Sequence, residues 1–467
     1  MSSPPRSVLE HVIRTVPAEI GPGVDELERL VGADNVQRDA IVGDRMVSGT
    51  ARALVHPGSA EQVAEVVAWC YARDVPIVPV GGRSGLAGGA APLGGDAVAL
   101  ALDRLRAVRS FDPPLWRMQA EAGVTTATIA RLASENGLLF GPDPGAPEDS
   151  QLGGMIATNA GGPHSFKYGV TGDWVTGIEA VLAPGQLVRV GGPLRKDVAG
   201  YDLRALLVGS EGTLGIVTAA WLRFVPAPER RLPVVASYAD VAAGAAAVMR
   251  VLACGVQAAA LDYVDAATMK LAGATFPGKP LRGFVVIAEA DGAAAEAERL
   301  RDELIEALGD GVQRVWMPDD LAGARALWRW RDGVAHAVGA ARGAKLSCDV
   351  AVPLDRLAEA IEGTLAIGAR RGLEACSWGH AGDGNVHATF LVDAGDDASR
   401  GRADAAAEEL LTLAVALGGS VTGEHGIGVL KRGWLSRQWG DAAVGAHRAI
   451  KAALDPKGLF NPGKKEA

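Results

Sequence analysis

Apolar and polar positions along this chain change period several times, and the changes divide it. Residues 7–33 have helical spacing, clearest in PGVDELERLVG. From about residue 50 short apolar runs alternate with helical segments. RALVHP (52–57) reads as a strand, and AEQVAEVVAWCYARD (60–74) as a helix with apolar residues at three and four, Ser59 standing ready to cap it. VPIVPV is the next strand and runs straight into GGRSGLAGGA. AVALAL follows as a strand, TTATIARLASENG as a helix, and GDWVTGIEAVLAPGQLVRV as a hairpin turning through PGQ. This α/β region ends near Pro226.

A second pattern begins at Arg231: the strand VVASY, a long Ala-rich helix, the strands QAAALDYVD and GFVVIAEAD, and the helix AAAEAERLRDELIEALG. Further helices are expected over 355–371, 402–417 and 443–454. This order predicts an α+β sheet covered on one face by helices. The expected organisation is an N-terminal helical segment (1–47), an α/β domain (48–226) and an α+β domain (227–467), with the closing KKEA a solvated tail.

Composition narrows the classes. With 467 residues the chain can build two or three cores, and 48% hydrophobic with 22% charged residues is ordinary for a soluble globular protein. The most apolar stretch, 238–261, is interrupted by Asp240 and Arg250, so no membrane span is expected. The start, MSSPPRSVLEHV, lacks the pattern of a secretory signal. A net charge of −9 without a basic run argues against nucleic acid and anionic membranes as partners. Four cysteines without a CxxC pair argue against an iron–sulfur or structural zinc module and for a reducing, cytoplasmic setting.

The unusual number is 61 glycines, and they are clustered. GGRSGLAGGA (81–90) follows a strand, and such a loop can bring backbone amides close to an anion such as a pyrophosphate; it can equally be a tight surface turn. It does not have GxGxxG spacing, and neither does GSEGTLG, so a nicotinamide fold gains little support. GGMIATNAGGPHSFKYG (153–169) and VGSEGTLGIVT (208–218) are further clusters in the same region. Together they suggest one extended ligand carrying phosphates and rings.

In order, PVGGRSGLAGG, LGGMIATNAGGP, KYGVTGDWV, KDVAGYDLRALLVGSEGTLGIVT, GHAGDGNVH, GEHGIG and LDPKGLFNPGK resemble the motifs of flavin-linked D-2-hydroxyacid dehydrogenases, of the vanillyl-alcohol-oxidase type of FAD fold. The resemblance runs from about residue 48 to the end. It implies an α+β architecture: a two-part α/β FAD-binding domain of the PCMH type (48–226), then an α+β C-terminal substrate domain (227–467). Gly81, Gly82, Arg83, Ser84, Gly85 and Leu86 match the pyrophosphate loop. Gly153, Gly154, Asn159, Gly161 and Gly162 match a second flavin strip, Glu211, Gly212, Gly215 and Ile216 a third, and Asn461 a terminal residue near the ring. The first loop offers neither of the residues, His or Cys, that anchor flavin covalently in some members, so non-covalent FAD is expected. Gln151 stands where many members carry Thr.

Two of the 8 histidines, His380 and His387, flank a Gly-Asp-Gly turn in SWGHAGDGNVHATF, and Glu424 and His425 lie downstream. Imidazole and carboxylate donors suit borderline divalent metals; zinc, manganese and iron all accept them. Strand-end histidines in ordinary hydrogen bonds are the plainer reading of the pair. The resemblance implies that His380, His387 and Glu424 hold a divalent metal, often zinc, that orients a small 2-hydroxy acid. It also matches Arg331 and Lys345 to substrate-carboxylate positions. His425 fits the base for the hydroxyl proton, Asn385 a place between the metal site and the flavin, and flavin the hydride acceptor. Ala335 replaces the hydroxyl residue of 2-hydroxyglutarate-specific relatives, which favours lactate or glycolate. Electrons would leave to a separate acceptor: an electron-transfer protein, a quinone or a partner subunit. A homodimer is left open. The competing readings are an alcohol or sugar oxidase on the same fold, a metallohydrolase built on the two histidines and Glu424, and an inactive FAD-binding subunit.

Overall fold

The computed structural model describes residues 12–13 and 23–466. Among these the chain separates into two compact units that are interleaved in sequence, whereas the expected domains are consecutive. One unit comprises residues 12–13, 23–161, 169–226 and 424–466; the other comprises 162–168 and 227–423.

The first unit holds two five-stranded sheets. In one, Ser48–Val55 runs parallel to Val98–Ala101, which pairs in parallel with Ile77–Val80. Val36–Gly43 adds on antiparallel and Val12–Ile13 pairs in parallel with Ser48 and Gly49, so the expected helical segment over 1–47 contains strands, one of them within the helical stretch 7–33; of that stretch Val24–Val31 is helix, and its residues outside 12–13 and 23–33 lie outside the described residues. The helix Ala60–Ala72 starts where expected, with Ser59 Oγ accepting from the Gln62 amide at 3.2 Å. It buries Val63, Val66, Val67 and Cys70 against Val55, Ile77, Val98 and Leu100. The second sheet is antiparallel throughout, in the order Gln186–Gly191, Val175–Leu182, Ile216–Arg223, Arg117–Glu121, Val108–Asp112. The PGQ hairpin is its first pair.

The C-terminal stretch joins this unit by extending a sheet edge. The Ile77 amide donates to Leu459 O at 2.8 Å, and the Asn461 amide donates to Ile77 O at 2.7 Å. Phe460 enters the core beside Tyr71. Of the expected solvated tail, Lys464 is instead 3% exposed, because the turn after Asn461 folds it inward, and Lys465 is half-buried, while Glu466 is exposed.

The second unit is built on a seven-stranded antiparallel sheet, in the order Arg314–Trp316, Arg230–Tyr238, Phe284–Gly292, Ala260–Val264, Ala375–Gly379, Asn385–Asp393, Gly343–Ala351. Helices cover both faces rather than one. Val285 and Ile287 pack with Leu327, Trp330, Val334 and Val338 of the 22-residue helix Leu321–Arg342. Phe284, of opposite parity and so on the other face, lies against the helix Val241–Ala253, where a Cβ on Gly244 would meet its ring at 2.0 Å. Leu321–Arg342 escapes the hydropathy reading because Arg325, Arg329, Arg331 and Asp332 break up its apolar stripe.

Candidate active site

Near the matched flavin stretches, the glycines fall into two groups. Most are required by the chain itself. A Cβ on Gly82 would sit 1.7 Å from Asp149 O, one on Gly153 2.9 Å from Ala122 Cβ, one on Gly212 2.4 Å from Pro79 Cγ, and one on Gly215 2.7 Å from Leu182 Cδ2. Gly85 faces the Asp44 carboxylate, which also accepts from the Gly88 amide at 2.7 Å. Gly154 is different: a Cβ there would meet no chain atom within 4 Å, yet its Cα lies 3.4 Å from where a Gly81 Cβ would stand. Gly161 and Gly162 are buried, and Gly162 has a φ of 154°.

Left-handed backbone at residues other than glycine is uncommon and tends to gather at functional sites. Of eight such residues among those described, four belong to the expected flavin set: Arg83, Asn159, Glu211 and Asn461, with φ of 58°, 55°, 53° and 42°. Their side chains differ in role. Arg83 is exposed, as is Leu86, and Ser84 Oγ meets Ser150 Oγ at 3.1 Å. Asn159 Oδ1 accepts from the Gly172 amide at 2.8 Å. The Glu211 carboxylate accepts from the Ile427 amide at 2.8 Å and the Gly428 amide at 2.7 Å, so its side chain ties loops together. Asn461 Nδ2 donates to Glu211 O at 2.7 Å and to Gly89 O at 3.0 Å. Ile216 is a core residue at the start of its strand.

Two buried oxygens of this unit have no hydrogen-bond partner among the described residues: Asn461 Oδ1 and Gln151 Oε1. A narrow glycine cradle and two unsatisfied acceptors fit a ligand bearing donors, as a flavin ring and ribityl chain do. Lys464 Nζ is likewise buried without a partner. Burial pushes its ammonium down to about 7, against the pull of Glu211, Asp44 and Glu466. Sequence reading missed it; the signal was a Lys two residues after the matched Asn-Pro pair rather than at the chain's end.

In the other unit, the question of the paired histidines has a geometric answer. Ala375–Gly379 and Asn385–Asp393 form a hairpin, with Trp378 opposite His387. His380 follows the first strand, and Ala381–Asp383 makes the turn. Gly384 (φ 68°) closes it, since a Cβ there would lie 2.1 Å from Val352 O. The imidazoles come to 5.4 Å between centroids at 87°. The helical segment Ser165–Tyr168 packs beneath, with Phe166 against Gly382 and the His164 ring 3.0 Å from the Glu289 carboxylate.

Each histidine has a carboxylate behind it. Asp262 Oδ1 lies 2.9 Å from His380 Nδ1, and Asp349 Oδ1 lies 3.9 Å from His387 Nδ1. Both acids are buried. Asp262 also accepts from Arg331 Nε at 2.6 Å. Burial alone would raise the Asp262 carboxyl, but Arg331 and His380 overcome it and hold it below the usual range. Arg331 is 6% exposed, not a surface charge. Its Nη2 is buried without a hydrogen-bond partner among the described residues.

Asp349 accepts from Asn385 Nδ2 at 2.6 Å, Thr422 Oγ1 at 2.8 Å and the Gly423 amide at 2.9 Å. It thereby pins Asn385 and the backbone leading into Glu424. Gly423 must be glycine, because a Cβ would lie 1.9 Å from Asn385 Nδ2. Glu424 and His425 follow it, their side chains 3.8 Å apart. With Nδ1 of His380 on the Asp262 carboxylate, its Nε2 is left as the donor toward a cation, which suits a divalent metal.

Lys345 stands apart from this group. Its ammonium donates to Ala335 O at 2.6 Å and lies 5.1 Å over the Trp378 ring, and burial lowers it to about 8. Asp262 and Asp349 were missed in the sequence; the signal was an acid inside the apolar runs ALDYV and SCDVAV, where a charge must find partners.

Comparison with known proteins completes the picture. Residues 51–191 match the profile of an FAD binding domain, and residues 227–465 that of FAD linked oxidases, C-terminal domain. The chain is 36% identical over 417 residues to glycolate oxidase subunit GlcD of Bacillus subtilis, covering 88% of each chain. It is 31% identical to D-lactate dehydrogenase of Anaerostipes hadrus over 94% of each chain, and 34% identical to D-2-hydroxyglutarate dehydrogenase of Xanthomonas citri pv. viticola over 88% of each. Among solved structures, p-cresol methylhydroxylase superposes with a TM-score of 0.78 at 17% identity, covering 97% of this chain and 98% of that one. Alkyldihydroxyacetonephosphate synthase superposes at 0.75 and 19% identity over 97% and 86%. At these identities the structures speak for the fold alone.

Proposed function

This chain belongs to the FAD-linked oxidases, and from that premise we propose that it is a dehydrogenase of small D-2-hydroxy acids, of the lactate or glycolate size. The observation that carries the reading is the shared setting of His380 and Arg331: an imidazole and a buried guanidinium, both on the Asp262 carboxylate. That pairing suits a substrate with a carboxylate next to the reacting carbon.

Bound non-covalently, FAD supplies the acceptor for the hydride from C2. A divalent metal, zinc being the natural candidate, supplies Lewis-acid orientation of the hydroxy acid when held by His380, His387 and Glu424. The chain's own groups do the rest. Arg331 holds the carboxylate, for which its forked donors are shaped. His425 takes the hydroxyl proton as C2 gives up hydride. Asn385, held by Asp349, positions the substrate from the hairpin side. Gly81, Gly154 and the backbone at Arg83, Asn159 and Asn461 cradle the flavin, with Gly82 and Gly153 holding the surrounding loops close. Lys345, whose ammonium donates to Ala335 O, is the second cationic group for the carboxylate, a point charge beside the fork of Arg331. Ala335 brings no hydroxyl for a second carboxylate, so the smaller acids are preferred.

A separate acceptor, whether an electron-transfer protein, a quinone or a partner subunit, would take up the electrons. No helix among the described residues is long and apolar enough to cross a membrane, and none of the four cysteines is in a disulfide.

The test is steady-state turnover with an artificial electron acceptor and a panel of D- and L-lactate, glycolate, D-2-hydroxyglutarate and sugar alcohols. The reading expects kcat/KM to be highest for D-lactate or glycolate. A preference for sugar alcohols, indifferent to added chelator, would replace it with the oxidase reading.

A further inference from the structure

We infer that Asp262 is a positioning residue that links metal binding to substrate binding: its one carboxylate sets both the ligating face of His380 and the direction of Arg331. The inference rests on the proposed roles of those two residues and takes them one step further.

Asp262 lies on the strand Ala260–Val264, opposite Ile287, while its neighbour Tyr263 pairs with Gly379, the residue before His380. The helix Leu321–Arg342 brings Arg331 to the same point. Asp262 is fully buried, and its two oxygens are divided, Oδ1 to the imidazole at 2.9 Å and Oδ2 to the guanidinium at 2.6 Å. An acceptor at Nδ1 keeps the proton on that nitrogen and presents the Nε2 lone pair. An acceptor at Arg331 Nε fixes a planar group, and so fixes where its Nη edge points. Neither side chain can turn without losing its hold on the shared acid. Metal affinity and carboxylate affinity therefore depend on one residue that touches neither ligand.

A bland alternative is that Asp262 only neutralises a buried Arg. The two differ in what Asp262→Asn does. The amide is near in size and can still bond, but it is neutral and a poorer acceptor. Metal-stripped, flavin-loaded protein is titrated with Zn²⁺ against a chromophoric chelator, and turnover is measured at saturating metal. The positioning role expects a metal Kd 10–100-fold weaker, a KM for the hydroxy acid at least tenfold higher, and a kcat changed by less than about fivefold. Arg331→Gln should raise KM as much but leave the metal Kd within twofold.

Removing the acid leaves Arg331 uncompensated, which can prevent folding. The double variant Asp262→Asn/Arg331→Met removes both charges, and its metal Kd is compared with that of Arg331→Met alone; a 10–100-fold loss is again expected. A metal Kd within twofold of the parent in both comparisons would overturn the inference. So would an equal loss of metal in Arg331→Gln, which would mean the pocket merely collapses. Failure of the metal reading itself is separate: there, wild-type protein binds no more zinc than His380→Ala.

Discussion

Gly154 offers a prediction in which stability and binding move in opposite directions. It sits inside the helix Leu152–Thr158, its φ is not among the positive ones, and a Cβ on it would meet no chain atom within 4 Å. On the protein alone, Gly154→Ala should help. Alanine is favoured over glycine in a helix interior by about 0.5–1 kcal/mol. For a unit of this size that is worth roughly 1–4 °C in Tm. Yet Gly154 lies beside Gly81, both within the FAD binding domain match. If the flavin occupies that space, the added methyl overpacks it, at roughly 1–3 kcal/mol. At 1.4 kcal/mol per tenfold, FAD should bind about 5–150-fold more weakly. The assay is paired: thermal denaturation of deflavinated protein, and titration with FAD followed by flavin fluorescence. Gly153→Ala is the control, because its Cβ would crowd Ala122 and should lower Tm before any flavin is added. A Gly154→Ala protein that is more stable and binds FAD unchanged would refute the placement.

Other consequences are as direct. His425→Ala should keep its flavin but slow anaerobic reduction by substrate by about 10²–10⁴-fold, the usual weight of a general base; wild-type rates would remove the residue from that role. Arg331→Lys should raise KM more than it lowers kcat, because a point charge cannot replace the fork at Asp262 and the substrate together. Lys464 sets a pH dependence. Its folded pKa of about 7 lies below the ordinary 10.5, so the unfolded chain binds the extra proton between these values and stability rises with pH through that window. The gain is at most about 1.4 kcal/mol per pH unit. Denaturation of flavin-free protein from pH 7 to 10 should show the rise, and Lys464→Met should flatten it.

What could be read from the chain followed from how local the cause was. Ser59 and its helix, the PGQ hairpin and the strand before the first glycine loop are set by neighbours in sequence, and the structure has them all. The order of motifs is likewise a property of the chain alone, and the family follows from it. The helix Leu321–Arg342 was hidden because Arg331 is buried by a partner 69 residues away, so a charge occupies a core position. Asp262 and Asp349 were hidden for the same reason: nothing beside an acid in a strand says which imidazole it will meet. Many of the glycines carried a second ambiguity. Gly82, Gly212 and Gly215 look like ligand contacts in the sequence, yet the chain's own packing already requires them. The closing KKEA is charged enough to read as tail, and only the sheet-edge bonds of Leu459 and Asn461 to Ile77 show why Lys464 is enclosed.

The central claim is oxidation of a 2-hydroxy acid by bound flavin, and an anaerobic visible spectrum of the purified protein tests it most directly. The account predicts flavin bands that bleach on adding D-lactate or glycolate, and more slowly or not at all with D-2-hydroxyglutarate. A protein that stays colourless after incubation with FAD, or a yellow one that none of the three acids bleaches, would contradict it.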